Sequence, residues 1–156
     1  SDTRLVADPA RLAAARTLWM PRGDTLDARF AARVVDWVRA GGALVVTDPN
    51  AFARTSTGAS LAAVRDQLIG APLGPVRTGS ILQVPPGALG TGVPDDLLSL
   101  PIDIPHARAF AAVPAGASVV ARFVDGAPAA ILNPVGAGRV LAFSADPMSP
   151  SVLDEP

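Results

Sequence analysis

Six polar side chains with the chemistry to bind a ligand follow the ends of three predicted buried strands. Because ligands of open parallel sheets bind beyond the carboxyl ends of the strands, these residues would share one edge, here called the carboxyl rim, if the strands are parallel neighbours. In the alternative interpretation, which we favour, Asp24 caps a helix and Asp48 is a turn residue. The six candidates are Arg22, Asp24, Asp48, Asn50, Ser144 and Asp146.

A hydrolytic reaction at this rim lacks a recognisable base. Thr47 and Ser144 carry hydroxyl groups, but a hydroxyl nucleophile needs an activating base. The only histidine, His106, lies in an irregular stretch, and the chain contains no cysteine. We therefore expect no catalytic residues. A hydrolase-type reaction that uses Asp48 with a bound metal or water remains the alternative.

Two further patterns resemble ligand sites only in isolation. Gly136-Ala137-Gly138 lacks the third glycine of a phosphate-binding loop and precedes a predicted strand, so it indicates a turn. Asp95-Asp96 could bind a cation, but the solvated start of a helix is the better interpretation. We expect neither a metal nor a cofactor.

Composition restricts the class of protein. The chain has 156 residues, of which 49% are hydrophobic and 17% charged, so we expect a single globular domain with a substantial core. A net charge of −1 argues against nucleic-acid binding. No apolar run approaches the roughly 20 residues that span a bilayer, so we expect no membrane insertion. The first and last residues suggest a fragment of a longer multidomain protein, and no compartment is indicated.

The clearest elements occupy residues 25–48, TLDARFAARVVDWVRAGGALVVTD. Thr25 or Asp24 can cap a helix that ends at Gly41-Gly42, and a strand without polar residues until Thr47 follows. Such a run is typical of a parallel strand covered on both faces. With the predicted strand at 16–20, it forms a βαβ crossover. The predicted apolar face of the helix comprises Leu26, Phe30, Val34, Trp37 and Val38.

The rest of the chain divides into three parts. A helix is predicted at 61–69, and residues 71–114 are rich in proline and irregular, with residues 80–84 as their best strand. Two hairpin signals, at Asp125-Gly126 and at 136–138, then predict three consecutive antiparallel strands. The expected fold is a three-layer α/β sandwich with a mainly parallel central sheet and a C-terminal β-meander.

These segments resemble a known fold family. "WVRAGG", "ALVVTD", "LAAVRDQLIG" and "ARFVDGAPAAILNPVGAGRVLAFSADP" are similar to class I glutamine-amidotransferase-like domains, which have a flavodoxin-like or Rossmann-like α/β fold. The similarity is to the non-glutaminase branch, which includes the trimerisation domain of bacterial β-galactosidases. It covers most of residues 17–147.

The residues that glutaminases use are absent. The resemblance implies a cysteine after the strand 43–47, where this chain has Thr47 and Asp48, and a His-x-Glu pair, whereas His106 is followed by Ala107 and Arg108. Thioester chemistry is therefore excluded.

We therefore expect a non-catalytic accessory domain of a larger carbohydrate-active or cell-surface protein that serves oligomerisation, interdomain packing or weak ligand binding. Its partners would be other domains of the parent protein or copies of itself. Few charges and an apolar, proline-rich span place the predicted interface between residues 81 and 100. The candidate interface residues are Ile81, Leu82, Leu89, Leu97 and Leu98.

Overall fold

The computed structural model describes residues 9–77, 80–83, 102–104 and 107–146. Its helices are α1 (Pro9–Ala14), α2 (Ala28–Arg39) and α3 (Ala62–Leu68). Its strands are β1 (Thr17–Met20), β2 (Thr25–Leu26), β3 (Ala43–Val46), β4 (Arg54–Thr55), β5 (Leu73–Val76), β6 (Ser80–Gln83), β7 (Ile102–Ile104), β8 (Arg108–Phe110), β9 (Ser118–Phe123), β10 (Pro128–Val135) and β11 (Gly138–Phe143). No helix among these residues is long and apolar enough to cross a bilayer.

Seven strands form the main sheet in the order β1-β3-β11-β10-β9-β6-β7. The predicted neighbours β1 and β3 are confirmed as a parallel pair, with Thr17 opposite Ala43. β11 continues the parallel part on the other side of β3. The α/β class is therefore confirmed: a crossover helix, α2, joins two parallel neighbours, as parallel pairing requires.

The remaining pairings within the main sheet are antiparallel, so the main sheet is mixed. β9, β10 and β11 pair antiparallel in chain order, and β6 pairs antiparallel with both β9 and β7. The sequence analysis predicted a parallel central sheet and a separate C-terminal β-meander. In the structure the last strand, β11, pairs with β3 on one side and with β10 on the other, so both parts belong to one sheet. Two short ribbons, β2-β4 and β5-β8, lie outside the main sheet.

Helix α2 begins later than the sequence predicts. Its N-cap is Asp27, whose Oδ1 accepts hydrogen bonds from the backbone N–H groups of Arg29 at 2.9 Å and Phe30 at 3.0 Å. The predicted caps Thr25 and Asp24 are therefore wrong. Thr25 belongs instead to β2, which pairs with β4, and this pairing holds the chain extended up to the cap.

The buried face of α2 is turned slightly from the predicted one. Ala31, Val34, Val35 and Val38 are buried, whereas Phe30 and Trp37 are half-buried at the edge of the core. The helix packs against β11 and against α3, which in turn contacts β10. Helices α2 and α3 thus form one layer on one face of the sheet, and α1 is the only other helix in the described part of the chain.

Glycines allow α2 to approach the strands that follow it. A Cβ on Gly42 would overlap the Trp37 ring, and a Cβ on Gly138 would overlap the backbone carbonyls of Val38 and Gly42. Gly136 also has a positive φ of 61° and lies against the backbone of Arg39. The "AGG" and "GAG" segments are therefore turns, as predicted, but their glycines are also required by close backbone contact.

Candidate functional site

Asp48 connects the loops that leave β1 and β3. Its Oδ2 accepts the backbone N–H of Gly23 at 2.9 Å, and its Oδ1 accepts that of Asn50 at 2.8 Å. The Gly23 bond joins residues 25 positions apart, and the Asn50 bond is a local turn contact. The structure thus brings Asp48 to the Arg22–Asp24 loop, but with both carboxylate oxygens bonded to the backbone.

The space between these loops is filled by apolar groups. Met20, Ala51 and Phe52 are buried, and Phe52 has a positive φ of 61°. The backbone N–H of Phe52 donates to Gly23 O at 2.7 Å. A Cβ on Gly23 would lie 2.6 Å from Met20 Sδ, so even a methyl group has no room there. This part of the rim is packed as core.

The other rim candidates do not converge on Asp48. Arg22, Asp24 and Asn50 are exposed. Ser144 is fully buried, and its Oγ donates to Ala129 O at 3.0 Å. Within the described ranges no hydrogen bond links Ser144 to Asp48.

Asp146 is half-buried at the end of the last strand. The two hydrogen bonds that Asp48 accepts come from Gly23 and Asn50 and not from Asp146. Ligand binding by the six rim residues therefore stays a prediction.

Two further residues lie at the rim: Thr47, which the sequence analysis considered only as a nucleophile, and Arg65, which it missed. Thr47 is only 5% exposed, and its Oγ1 has no hydrogen-bond partner among the described residues. Arg65, on α3, donates from Nη1 to Ala51 O at 2.6 Å. Burial lowers the pKa of the Arg65 guanidinium, while the carboxylates of Asp48 and Asp66 act in the opposite direction. Only its place on the half-buried side of a predicted helix could have indicated Arg65.

No acid–base or metal chemistry is assembled in the part of the chain that the structure describes. Residues 9–77, 80–83, 102–104 and 107–146 contain no group of three or more His, Cys, Asp or Glu side chains that could hold a metal ion. The predicted candidates His106 and Asp95-Asp96 lie outside these residues.

The predicted interface is only partly described. Ile81 and Leu82 belong to β6, whose backbone pairs with β7 on one side and β9 on the other. They are therefore part of the main sheet, in the strand that the sequence analysis predicted at 80–84. Leu89, Leu97 and Leu98 lie outside the described residues.

A large groove lies at the opposite end of the parallel strands. Its volume is about 1250 Å³, and it contains the first residues of β1, β3 and β11. The charged side chains that line it are Arg16, Arg33, Asp36 and Arg139, all of them exposed. Because ligands of open parallel sheets are expected at the carboxyl ends, the sequence analysis did not consider this amino-end groove.

Structural comparison places the chain among parts of much larger proteins. The β-galactosidase from Rahnella sp. R3 matches with a TM-score of 0.66 and 18% identity over 85% of this chain and 20% of its own. Gan42B, a GH42 β-galactosidase from G. stearothermophilus, matches with a TM-score of 0.64 and 14% identity over 85% of this chain and 19% of its own.

The chain shares its fold with one part of these enzymes. A β-galactosidase from the haloarchaeon Halorubrum lacusprofundi gives the same result, with a TM-score of 0.62 and 18% identity over 90% of this chain and 21% of that enzyme. The chain thus spans about one fifth of the length of the enzymes that it matches. No protein-family model matches it, and no curated protein matches it in sequence.

Proposed function

We propose that this chain is a non-catalytic accessory domain of a larger carbohydrate-active protein and that it packs against other domains of that protein or against copies of itself. The observation that carries the proposal is the coverage of the structural match. About nine tenths of this chain corresponds to only about one fifth of several β-galactosidases. We also propose that the chain has a glutamine-amidotransferase-like fold and that residues 1–156 form a single domain.

The rim geometry supports the non-catalytic part of the proposal. A reacting group must face a space that substrate can enter, and the space beside Asp48 is filled by Met20, Ala51 and Phe52. Asp48 has both oxygens bonded to the backbone, and Ser144 is buried with its hydroxyl donating to a carbonyl. The alternative, a hydrolase-type enzyme at the carboxyl rim, would require these contacts to open.

An activity assay separates the two functions. Purified chain 1–156 is incubated with nitrophenyl β-galactoside, a nitrophenyl ester and glutamine, beside the Asp48→Asn variant. We expect no turnover above the buffer rate from either protein. Hydrolysis by the parent chain that disappears in Asp48→Asn, with the fold retained by circular dichroism, would establish the hydrolase alternative instead.

The accessory role requires a second measurement on the full-length protein that contains this chain. Deleting residues 1–156 from it should lower the thermal midpoint of the remaining domains or change the molar mass measured by light scattering, because a contact surface is lost. If both values are unchanged, the accessory role is rejected. The predicted interface at Ile81, Leu82, Leu89, Leu97 and Leu98 is tested in the same assay by the double change of Leu97 and Leu98 to Ser, which should weaken association while the domain stays folded.

A further inference from the structure

The described helices leave one face of the parallel part of the sheet open. Alternate residues of β1, β3 and β11, such as Met20, Leu44 and Val140, belong to the core that packs against α2 and α3. The intervening side chains point to the opposite side, since successive residues of a strand alternate between faces. This open face comprises Thr17 and Trp19 of β1, Ala43 and Val45 of β3, Arg139 and Leu141 of β11, and Leu132 and Pro134 of β10.

An apolar row crosses the open face in register. Trp19 pairs with Val45, Val45 with Leu141, and Leu141 with Leu132, so the four side chains lie side by side across four strands. Trp19 is 54% exposed, and the other three are half-buried. Parallel strands are almost always covered on both faces, and among the described residues only the α2 side is covered to the level of a core. A continuous apolar row of this kind marks a contact surface.

Arginines border one end of the row. The amino-end groove opens onto the open face and shares Thr17, Ala43, Leu132 and Arg139 with it. Arg16, Arg33 and Arg139 line the groove with a single carboxylate, Asp36. None of the three arginines has a side-chain hydrogen bond or ion pair to another residue of the described ranges. The surface is therefore apolar in the middle and positively charged at one end.

The size and charge of this surface decide what kind of partner fits it. Small-molecule sites usually enclose about 300–1,000 Å³, so a groove of about 1250 Å³ that runs onto a flat sheet face suits a polypeptide segment better. A second copy that packed face to face with its strands running in the same direction would bring its own Arg16, Arg33 and Arg139 towards the same cluster, and like charges across an interface are unfavourable. A polypeptide segment with apolar and acidic side chains matches both the size of the groove and its positive charge.

We propose that the open face docks a neighbouring domain of the same parent protein, through a segment whose apolar side chains cover Trp19, Val45, Leu141 and Leu132 and whose Asp or Glu side chains pair with Arg33 and Arg139. This inference rests on the proposed accessory function and names its contact surface. The contact proposed here lies on the open face, whereas the sequence analysis predicted an interface between residues 81 and 100. Matched enzymes more than four times as long as this chain supply room for such a domain.

Site-specific photo-crosslinking tests the proposal in the full-length protein. A benzoylphenylalanine replaces Trp19 in one sample and Val124, which is 57% exposed in the β9–β10 turn, in the control. Equal amounts of isotope-labelled and unlabelled protein are mixed, so that mass spectrometry separates contacts within one copy from contacts between copies. We expect crosslinks from position 19, several-fold above those from position 124, to a segment outside 1–156 that contains Asp or Glu.

A charge-reversal arm tests the chemistry of the partner. The double variant Arg33→Glu, Arg139→Glu should lower the yield from position 19 several-fold, whereas Arg29→Glu, Arg54→Glu, which changes the net charge equally at exposed sites away from the groove, should not. Thermal melts of the isolated chain confirm that all variants fold. Equal crosslinking yields from position 19 in the two double variants would overturn the proposal that the partner segment is acidic.

Other crosslinking patterns also overturn the proposal. Crosslinks between labelled and unlabelled copies identify a second copy as the occupant, and crosslinks to residues 147–156 identify the chain's own C-terminal segment. If the yield from position 19 does not exceed that from position 124, the open face is not a contact. Strong crosslinks to another domain from position 124 alone would reject this surface while leaving the accessory function intact.

Discussion

Two buried threonines provide a test of whether the carboxyl rim is packed as structure or prepared for a ligand. Thr47 and Thr55 are 5% and 7% exposed. The Oγ1 of Thr47 has no hydrogen-bond partner in the described part of the chain, whereas that of Thr55 accepts the N–H of Ala59 at 2.9 Å and lies 2.8 Å from Thr57 Oγ1. Replacing each with the isosteric valine therefore removes an unpaired hydroxyl in one case and a bonded hydroxyl in the other.

The expected changes have opposite signs. An unsatisfied buried polar group is unfavourable by about 1–3 kcal/mol, so Thr47→Val should raise the free energy of unfolding or leave it unchanged. In Thr55→Val the N–H of Ala59 loses its acceptor, and the free energy of unfolding should fall by about 1–3 kcal/mol. Urea titration of both variants at equal m-values measures the difference directly.

One result contradicts this reasoning. If Thr47→Val destabilises the chain as much as Thr55→Val does, the Thr47 hydroxyl must have a partner, either a buried water or a bound ligand. The rim would then hold a polar site, and the hydrolase alternative would gain support. A crystal structure of the parent chain would distinguish water from ligand.

Three further substitutions test specific contacts. Asp48→Asn replaces one of two acceptor oxygens with a donor and should destabilise by about 1–3 kcal/mol in urea titration, whereas Asp24→Asn, at an exposed position, should stay within about 0.5 kcal/mol. Gly138→Ala forces a methyl group into backbone and should lose about 3 kcal/mol or more, against roughly 1 kcal/mol for Gly126→Ala, which has open space and only a positive φ. Asn133→Leu removes the N–H donor to the last carbonyls of α3 and should cost about 1–3 kcal/mol by thermal or urea unfolding; no loss would mean that those carbonyls find water.

Local patterns predicted the parallel part of the fold well. The apolar run 43–46, the preceding amphipathic helix and the double glycine specify a strand, a helix and a stop through short-range physics. The pairing of Thr17 with Ala43 follows, because a helical crossover of this length permits only a parallel neighbour. The hairpin at Asp125-Gly126 was also predicted from a local signal, its turn residues, and β9 and β10 pair antiparallel around it.

Features that depend on long-range pairing were less predictable. The start of α2 moved to Asp27 because Thr25 pairs with Arg54 in the β2-β4 ribbon, a partner 29 positions away that no helix-cap rule includes. The role of β11 as the strand that joins the parallel and antiparallel parts depends on β3, which lies almost one hundred residues earlier. Periodicity reports which face is buried and does not identify the neighbour.

The candidate site shows the same division. The sequence identified Asp48 as a turn residue or a ligand, and the Asn50 contact is the local turn that was favoured. The second bond, to Gly23, and the filling of the rim by Phe52 required the two exit loops to be adjacent in space. The apolar row on the open face was not predicted, because three separate strand pairings are needed to bring Trp19, Val45, Leu141 and Leu132 into one row.

Calorimetry of Trp19→Asp tests the central claim, that this domain packs through its open face against the rest of its parent protein. Trp19 is 54% exposed in the isolated chain, so the substitution removes the burial of about half of an indole, about 2–3 kcal/mol, and should lower the thermal midpoint of 1–156 by several degrees, since roughly 2–4 °C corresponds to 1 kcal/mol at this size. In the full-length protein the same substitution places a carboxylate in a buried contact, and the domain's transition should fall by clearly more than in the isolated chain. An equal shift in both proteins would contradict the account.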